Sequence, residues 1–127
     1  MPSKQETFDT VVAHLRKQGA KATVRGENGS DECTYRSPDG RQCAAGCLIP
    51  DELYDPRIEG KPAHNELVAN ILKSLGHDVR LCLSLQRVHD DCEPKNWEDG
   101  FQRVAMDYAL TYTPPEEIRL TTPALSE

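Results

Sequence analysis

Three cysteines, Cys33, Cys43 and Cys47, lie close together, separated by nine and then three residues. Zinc takes four nitrogen or sulfur ligands in a tetrahedron, so three thiolates and one imidazole from His64, His77 or His89 would suit a structural zinc ion. The stretch has no Cys-x2-Cys knuckle. Free cysteine is also among the most buried residue types, and the three read equally as small thiols under a hairpin. Cys82 and Cys92 are ten residues apart and do not share a helix face, so they read as packing residues. A cysteine nucleophile needs a histidine base and an orienting carboxylate or amide. Those residue types are present, but nothing in the spacing selects one of the four histidines.

A second cluster is His89-Asp90-Asp91 with Glu93. Its oxygens suit magnesium or calcium, or acid–base work. It lacks the glycine-centred spacing of a calcium loop, and aspartates between helices are ordinary capping residues. The acids as a whole gather in three stretches: Glu27/Asp31/Glu32, Asp51/Glu52/Asp55/Glu59 and Asp90/Asp91/Glu93/Glu98/Asp99. Aligned on one face, they would imitate a phosphate backbone. Tyr35, Arg36, Arg41 and Tyr54 are the candidate binding residues, because Tyr and Arg anchor interfaces. The competing reading gives them cross-strand pairing and local packing.

These residues must be held by a small set of elements. Ser3 and Glu6 form a capping box at the start of a first helix. Phe8, Val11, Val12 and Leu15 give that helix one apolar stripe, and Gly19 supplies its stop. Residues 20–31 read as a linker or weak strand through Ala22 and Val24, ending in turn chemistry at 26–31. Glu32 to Ser37 and Arg41 to Ala44 read as two strands joined by the turn Ser37-Pro38-Asp39-Gly40. The small residues from Cys43 to Cys47 permit close backbone approach. Pro50 to Tyr54 reads as a short helical turn closed by Asp55-Pro56.

A second helix is predicted from near Pro62, with Leu67, Val68, Ile71, Leu72 and Leu75 on its face and Gly76 at its end. Residues 79–89 satisfy both periodicities. The Asp78 cap and the length of the run favour a helix. The last helix is predicted from about Pro94 to Leu110, with Trp97, Phe101, Val104, Ala105 and Tyr108 inward, and Pro114-Pro115 forbids its continuation.

The chain has 127 residues, a formal net charge of -6 and 37% hydrophobic residues. Mean hydropathy is -0.65. This length buries one core without a metal or disulfide. The acidic balance disfavours direct nucleic-acid binding, which needs Lys and Arg to neutralise phosphates. No apolar run approaches the ~18 residues of a membrane span. An odd number of cysteines without an export signal reads as reduced thiols in a cytoplasm.

The stretch from Cys33 to Tyr54, about a sixth of the chain, contains the pattern Y-R-x-P-x-G-x-x-C-A-x-G followed by L-I-P-D-E-L-Y. It resembles a segment recurring in small uncharacterised proteins of bacteriophages and bacterial genomes. That resemblance implies a phage or prophage context and a cytoplasmic location in a bacterial host. It implies no reaction and no catalytic residue.

The expected fold is α+β, with about four helices packed on a short β-hairpin or small antiparallel sheet. Residues 1–111 are expected to form a single globular domain, and 112–127 an extended tail laid along it by Ile118 and Leu120. The expected function is a small binding protein acting through a protein–protein surface, modulating a host enzyme or defence system. The alternatives are a zinc-stabilised module, an acidic nucleic-acid mimic, and a small cysteine- or metal-dependent enzyme. No cofactor is expected, with zinc on Cys33, Cys43 and Cys47 as the alternative. No membrane association is expected.

Overall fold

A computed structural model describes residues 1–115. The first helix, α1 (Lys4–Gln18), starts on the predicted capping box. Ser3 Oγ accepts from the Glu6 N–H, and Glu6 Oε1 accepts from the Ser3 N–H at 2.7 Å. Gly19, at φ +67°, ends the helix in the left-handed region that glycine enters without steric cost.

An antiparallel hairpin follows, formed by β1 (Thr23–Arg25) and β2 (Asp31–Cys33). Its register sets Thr23 opposite Cys33, Val24 opposite Glu32 and Arg25 opposite Asp31. The hairpin therefore lies one segment earlier than its sequence suggests. The Pro38-Asp39 turn does form, with the Gly40 N–H donating to Ser37 O at 3.0 Å. Beyond it the ladder is a single bridge, Arg36 with Gln42. Cys43, Ala44 and Ala45 turn inward to full burial instead of continuing the strand, and the chain winds into a 3₁₀ turn at Gly46–Leu48. Gly46 passes so close to the Tyr35 carbonyl that any side chain would strike it.

Two more 3₁₀ turns, Asp51–Leu53 and Pro56–Ile58, carry the chain to α2 (Glu66–Ser74). This helix begins four residues after Pro62. The first residue able to cap it is Asn65, whose side chain accepts from the Leu67 N–H. The ambiguous run is α3 (Val79–Asp91), with Asp78 Oδ1 accepting from the Leu81 N–H at 2.9 Å. After a 3₁₀ turn at Pro94–Asn96 comes α4 (Trp97–Asp107). Among the described residues the architecture is thus α+β, four helices with a two-stranded hairpin.

The third helix sits between two abutting apolar clusters. Leu81, Leu85 and Val88 pack with the α1 stripe and with Trp97, Phe101 and Val104 of α4. Cys82, on the other side of α3, packs with Ala22, Tyr35, Ile49, Ile58, Val68 and Leu72. Burying a side chain such as Phe8 or Phe101 contributes about 1.5–3 kcal/mol. Gly100 sets the spacing of α3 and α4, since a methyl group there would come within 2.7 Å of Val88.

The last described stretch clasps α1. Tyr112 donates to Glu98, Arg16 makes a two-toothed contact with Glu98 at 2.7 and 2.9 Å, and Gln5 exchanges hydrogen bonds with the Thr111 backbone. The remaining tail, with Ile118 and Leu120, lies outside the described residues. No described helix is long and apolar enough to cross a membrane.

Candidate functional site

The proposed zinc thiols do not converge. Cys43 is buried, and its Sγ accepts from the Gly46 N–H at 3.2 Å. The Cys47 thiol donates to Ala44 O at 3.1 Å. Burial holds both thiols above the usual range, Cys47 at about 12 and Cys43 higher still. Cys82 is likewise pushed up to about 12, mainly by burial. The competing reading of small buried thiols describes Cys43, which is buried, while Cys47 is half-buried.

Cys33 lies elsewhere, beside His89 and Asp90. These three are the group of potential ligands that the described residues bring together, their donor atoms within 4.8 Å of one another. The hairpin delivers Cys33, and the last turn of α3 delivers the other two. A cavity of about 280 Å³ opens here, lined by Cys33, Thr34, Tyr35, Gln86, Asp90 and the 60–62 loop.

The bonding around His89 defines what this cluster can do. His89 is fully buried, and its Nε2 accepts from the Ala22 N–H at 3.0 Å. The ring proton is therefore on Nδ1, which donates to Asp90 Oδ1 at 2.7 Å. Asp90 Oδ1 also accepts from Gln86 Nε2 at 2.8 Å, and Gln86 Oε1 accepts from the Ala45 N–H at 2.9 Å. Both imidazole nitrogens are spent on this relay, and a metal here would have to break one of those bonds. His89 cannot serve Cys33 as a base either. Burial, together with the neighbouring Asp90 carboxylate, pushes the Cys33 thiol up to about 11, away from the reactive thiolate. The relay ties hairpin, small-residue turn and α3 together. Gln86 and His89 stand at core positions one turn apart on α3, and such polar residues on an apolar face are the sequence signal for it.

The candidate binding residues assemble around a residue that the sequence placed only among clustered acids, Glu59. Its Oε1 accepts from the Tyr35 N–H at 2.8 Å and from the Thr34 hydroxyl. Its Oε2 accepts from the Arg36 N–H at 3.2 Å and the Tyr54 hydroxyl at 2.6 Å. Burial and the Glu59 carboxylate hold the Tyr54 phenol at about 12.

Arg36 lies over the Tyr54 ring at 4.4 Å, pairs with Asp51 at 2.8 Å, and donates to Ile49 O at 2.9 Å. Tyr35 is a core residue, not the surface residue expected. Only 4% of it is exposed, and its hydroxyl donates to Lys61 O at 2.5 Å. Arg41 pairs with Asp39 and donates to Lys21 O, so it fastens the 38–39 turn to the strand entry. Three of the four residues thus meet at the 50–59 loop, and Arg41 does not.

Asp31, Asp51, Asp55 and Glu98 each face an arginine, and Glu59 is turned inward. Compared with known proteins, the chain matches no protein-family model, no curated protein and no solved structure.

Proposed function

We propose that this chain is a small binding protein whose contact surface is the 50–59 loop. The observation that carries this reading is the Glu59–Arg36–Tyr54 scaffold. It spends four hydrogen bonds to one carboxylate and a stacked, paired guanidinium on a segment whose only regular structure is two short 3₁₀ turns. A loop held in one shape loses less conformational entropy on binding, which favours affinity. Above the scaffold stand Leu53, 40% exposed, and Arg57, whose side chain is 78% exposed. In this reading Tyr35 and Arg36 position the loop, while Leu53, Tyr54 and Arg57 meet the partner. The phage-like motif supplies two scaffold residues, so a protein of the bacterial host cytoplasm is the partner it supports, an enzyme or defence component among them.

The test is affinity capture from bacterial lysate with the intact chain and with the Leu53→Asp/Arg57→Glu variant. The expected result is a protein retained reproducibly by the first and depleted at least about tenfold by the second, with unchanged thermal unfolding, as for loss of an anchor. Identical retained sets, or none, would refute the reading.

A further inference from the structure

We infer that the cavity beside Cys33 receives a lysine or arginine side chain of an extended peptide, which adds as a further strand to the outer edge of β2. The site is separate from the exposed 50–59 loop. Two features converge on it: an open strand edge and a carboxylate that no cation meets.

The edge follows from the hairpin's bonding. Antiparallel pairing alternates between hydrogen-bonded and non-bonded residue pairs. The Gly26 N–H donates to Ser30 O at 2.7 Å and the Thr34 N–H to Ala22 O at 3.0 Å, so the bonds to β1 fall on the even-numbered side. The main-chain groups of Asp31 and Cys33 therefore point away from β1, and they make no hydrogen bond among the described residues. Two residues on, the same edge is closed, because the Tyr35 N–H donates to Glu59 at 2.8 Å. The open stretch thus ends at Cys33, where the cavity begins. An unpaired edge is a template for another strand. The cavity is lined by Cys33 of β2 and by no residue of β1, which selects this edge of the hairpin over the other.

Asp90 gives the cavity its charge. Its Oδ1 accepts from two neutral donors, His89 Nδ1 at 2.7 Å and Gln86 Nε2 at 2.8 Å, and neither removes the negative charge. Its Oδ2 makes no hydrogen bond among the described residues. Two ammonium groups stand near, each spent on a main-chain carbonyl: Lys21 on Asp90 O at 3.0 Å and Lys61 on Arg57 O at 3.0 Å. A carboxylate oriented by fixed donors is suited to a charge-assisted bond from an ammonium or guanidinium. The walls at Tyr35 and Pro62 suit the methylene stem behind such a head. The volume, about 280 Å³, lies below the about 300–1,000 Å³ of pockets for drug-sized ligands, so it fits one side chain. Main-chain pairing then supplies affinity, and the pocket supplies the choice of a basic residue.

The probes are acetyl-Thr-Val-Lys-Val-Thr-amide and its counterparts with arginine, norleucine or glutamate at the centre, titrated to about 5 mM against the isotope-labelled full chain by amide NMR. The lysine and arginine peptides should shift the Asp31 and Cys33 amides, and should bind at least about tenfold tighter than the norleucine and glutamate peptides. Asp90→Asn keeps an oxygen for His89 and Gln86 but removes the charge. It should abolish that preference, with unchanged shifts away from the site verifying its fold. Two N-methylated isomers of the lysine peptide, one blocked at lysine and one at both valines, test the strand pairing. Only the isomer whose free amides face β2 should bind. Absence of shifts, shifts confined to other surfaces, or equal binding of the norleucine peptide overturns the inference. So does equal behaviour of the two isomers, or n-butylamine binding as tightly as the lysine peptide. The titration uses no lysate, so its outcome is independent of the capture experiment on the 50–59 loop.

Discussion

Glu59 is the residue whose removal should most disturb the middle of the chain. Glu59→Ala leaves the Tyr35 and Arg36 N–H groups without acceptors and frees the Thr34 and Tyr54 hydroxyls. An orphaned buried donor costs about 1–3 kcal/mol. Glu59 is only half-buried, so water partly replaces what is lost, and the low end of that range applies to each N–H. The hydroxyls can turn elsewhere and add about 0.5 kcal/mol each. The sum is about 3 kcal/mol. Glu59→Gln keeps the shape but has one carbonyl oxygen where two carboxylate oxygens accepted. A hydroxyl can reverse and accept from the amide NH₂, whereas a backbone N–H cannot. One N–H is therefore always stranded, at about 1–1.5 kcal/mol. Urea unfolding with a slope of about 2 kcal/mol per molar should move the midpoint down by about 1.5 M for Glu59→Ala and about 0.6 M for Glu59→Gln. Equal losses in the two variants, or losses under about 0.5 kcal/mol in both, would refute the assignment of Glu59 as the acceptor that organises the loop.

Two other consequences can be measured. Cys33, its thiol at about 11 against an ordinary 9.0, should alkylate with iodoacetamide near neutral pH about a hundredfold more slowly than an unperturbed thiol. Asp90→Asn should accelerate it only in part, because burial is the larger cause; peptide mapping against glutathione checks both, and a Cys33 as fast as glutathione would contradict the site. His77, partly buried with Nδ1 at 2.7 Å from the Thr7 hydroxyl, is held below its ordinary 6.5 by desolvation. The unfolded chain therefore takes up that proton first. The stabilisation is complete above about pH 6.5 and is lost as pH falls through the lower folded value, so urea midpoints should decline below pH 6.5 and His77→Gln should flatten that decline.

The elements most legible in the sequence are those with local causes. Ser3 with Glu6, Gly19 and Asp78 each act within one helical turn, and each is found in its predicted role. The hairpin was displaced because pairing is decided over longer distances. Pro38-Asp39-Gly40 does make its turn, but burial of Cys43 to Ala45 and the approach of Gly46 to Tyr35 consume the residues that would have extended the ladder. Helix α2 starts late because Pro62 suits a first turn in type, while Asn65 is the residue that caps it. Tyr35 and Arg36 were identified by chemistry, yet their partner Glu59 lies more than twenty residues on, and no local pattern joins them. Cys33 was grouped with Cys43 and Cys47 by proximity in sequence, whereas the fold brings it to Asp90 from the far end of α3.

The clasp of residues 111–113 over α1 sets an order of events during synthesis. Gln5 and Thr111 are separated by 106 positions, yet each supplies the other's hydrogen bond. At about 5–20 residues per second, α1 leaves the ribosome on the order of 5–20 s before its clasp exists. Until α3 and α4 have been made, most of that interval, the stripe of Phe8, Val11, Val12 and Leu15 has no helix to cover it. The nascent chain thus presents a chaperone with an apolar helix that the folded molecule hides, and the clasp over α1 closes only once residues 111–113 have emerged.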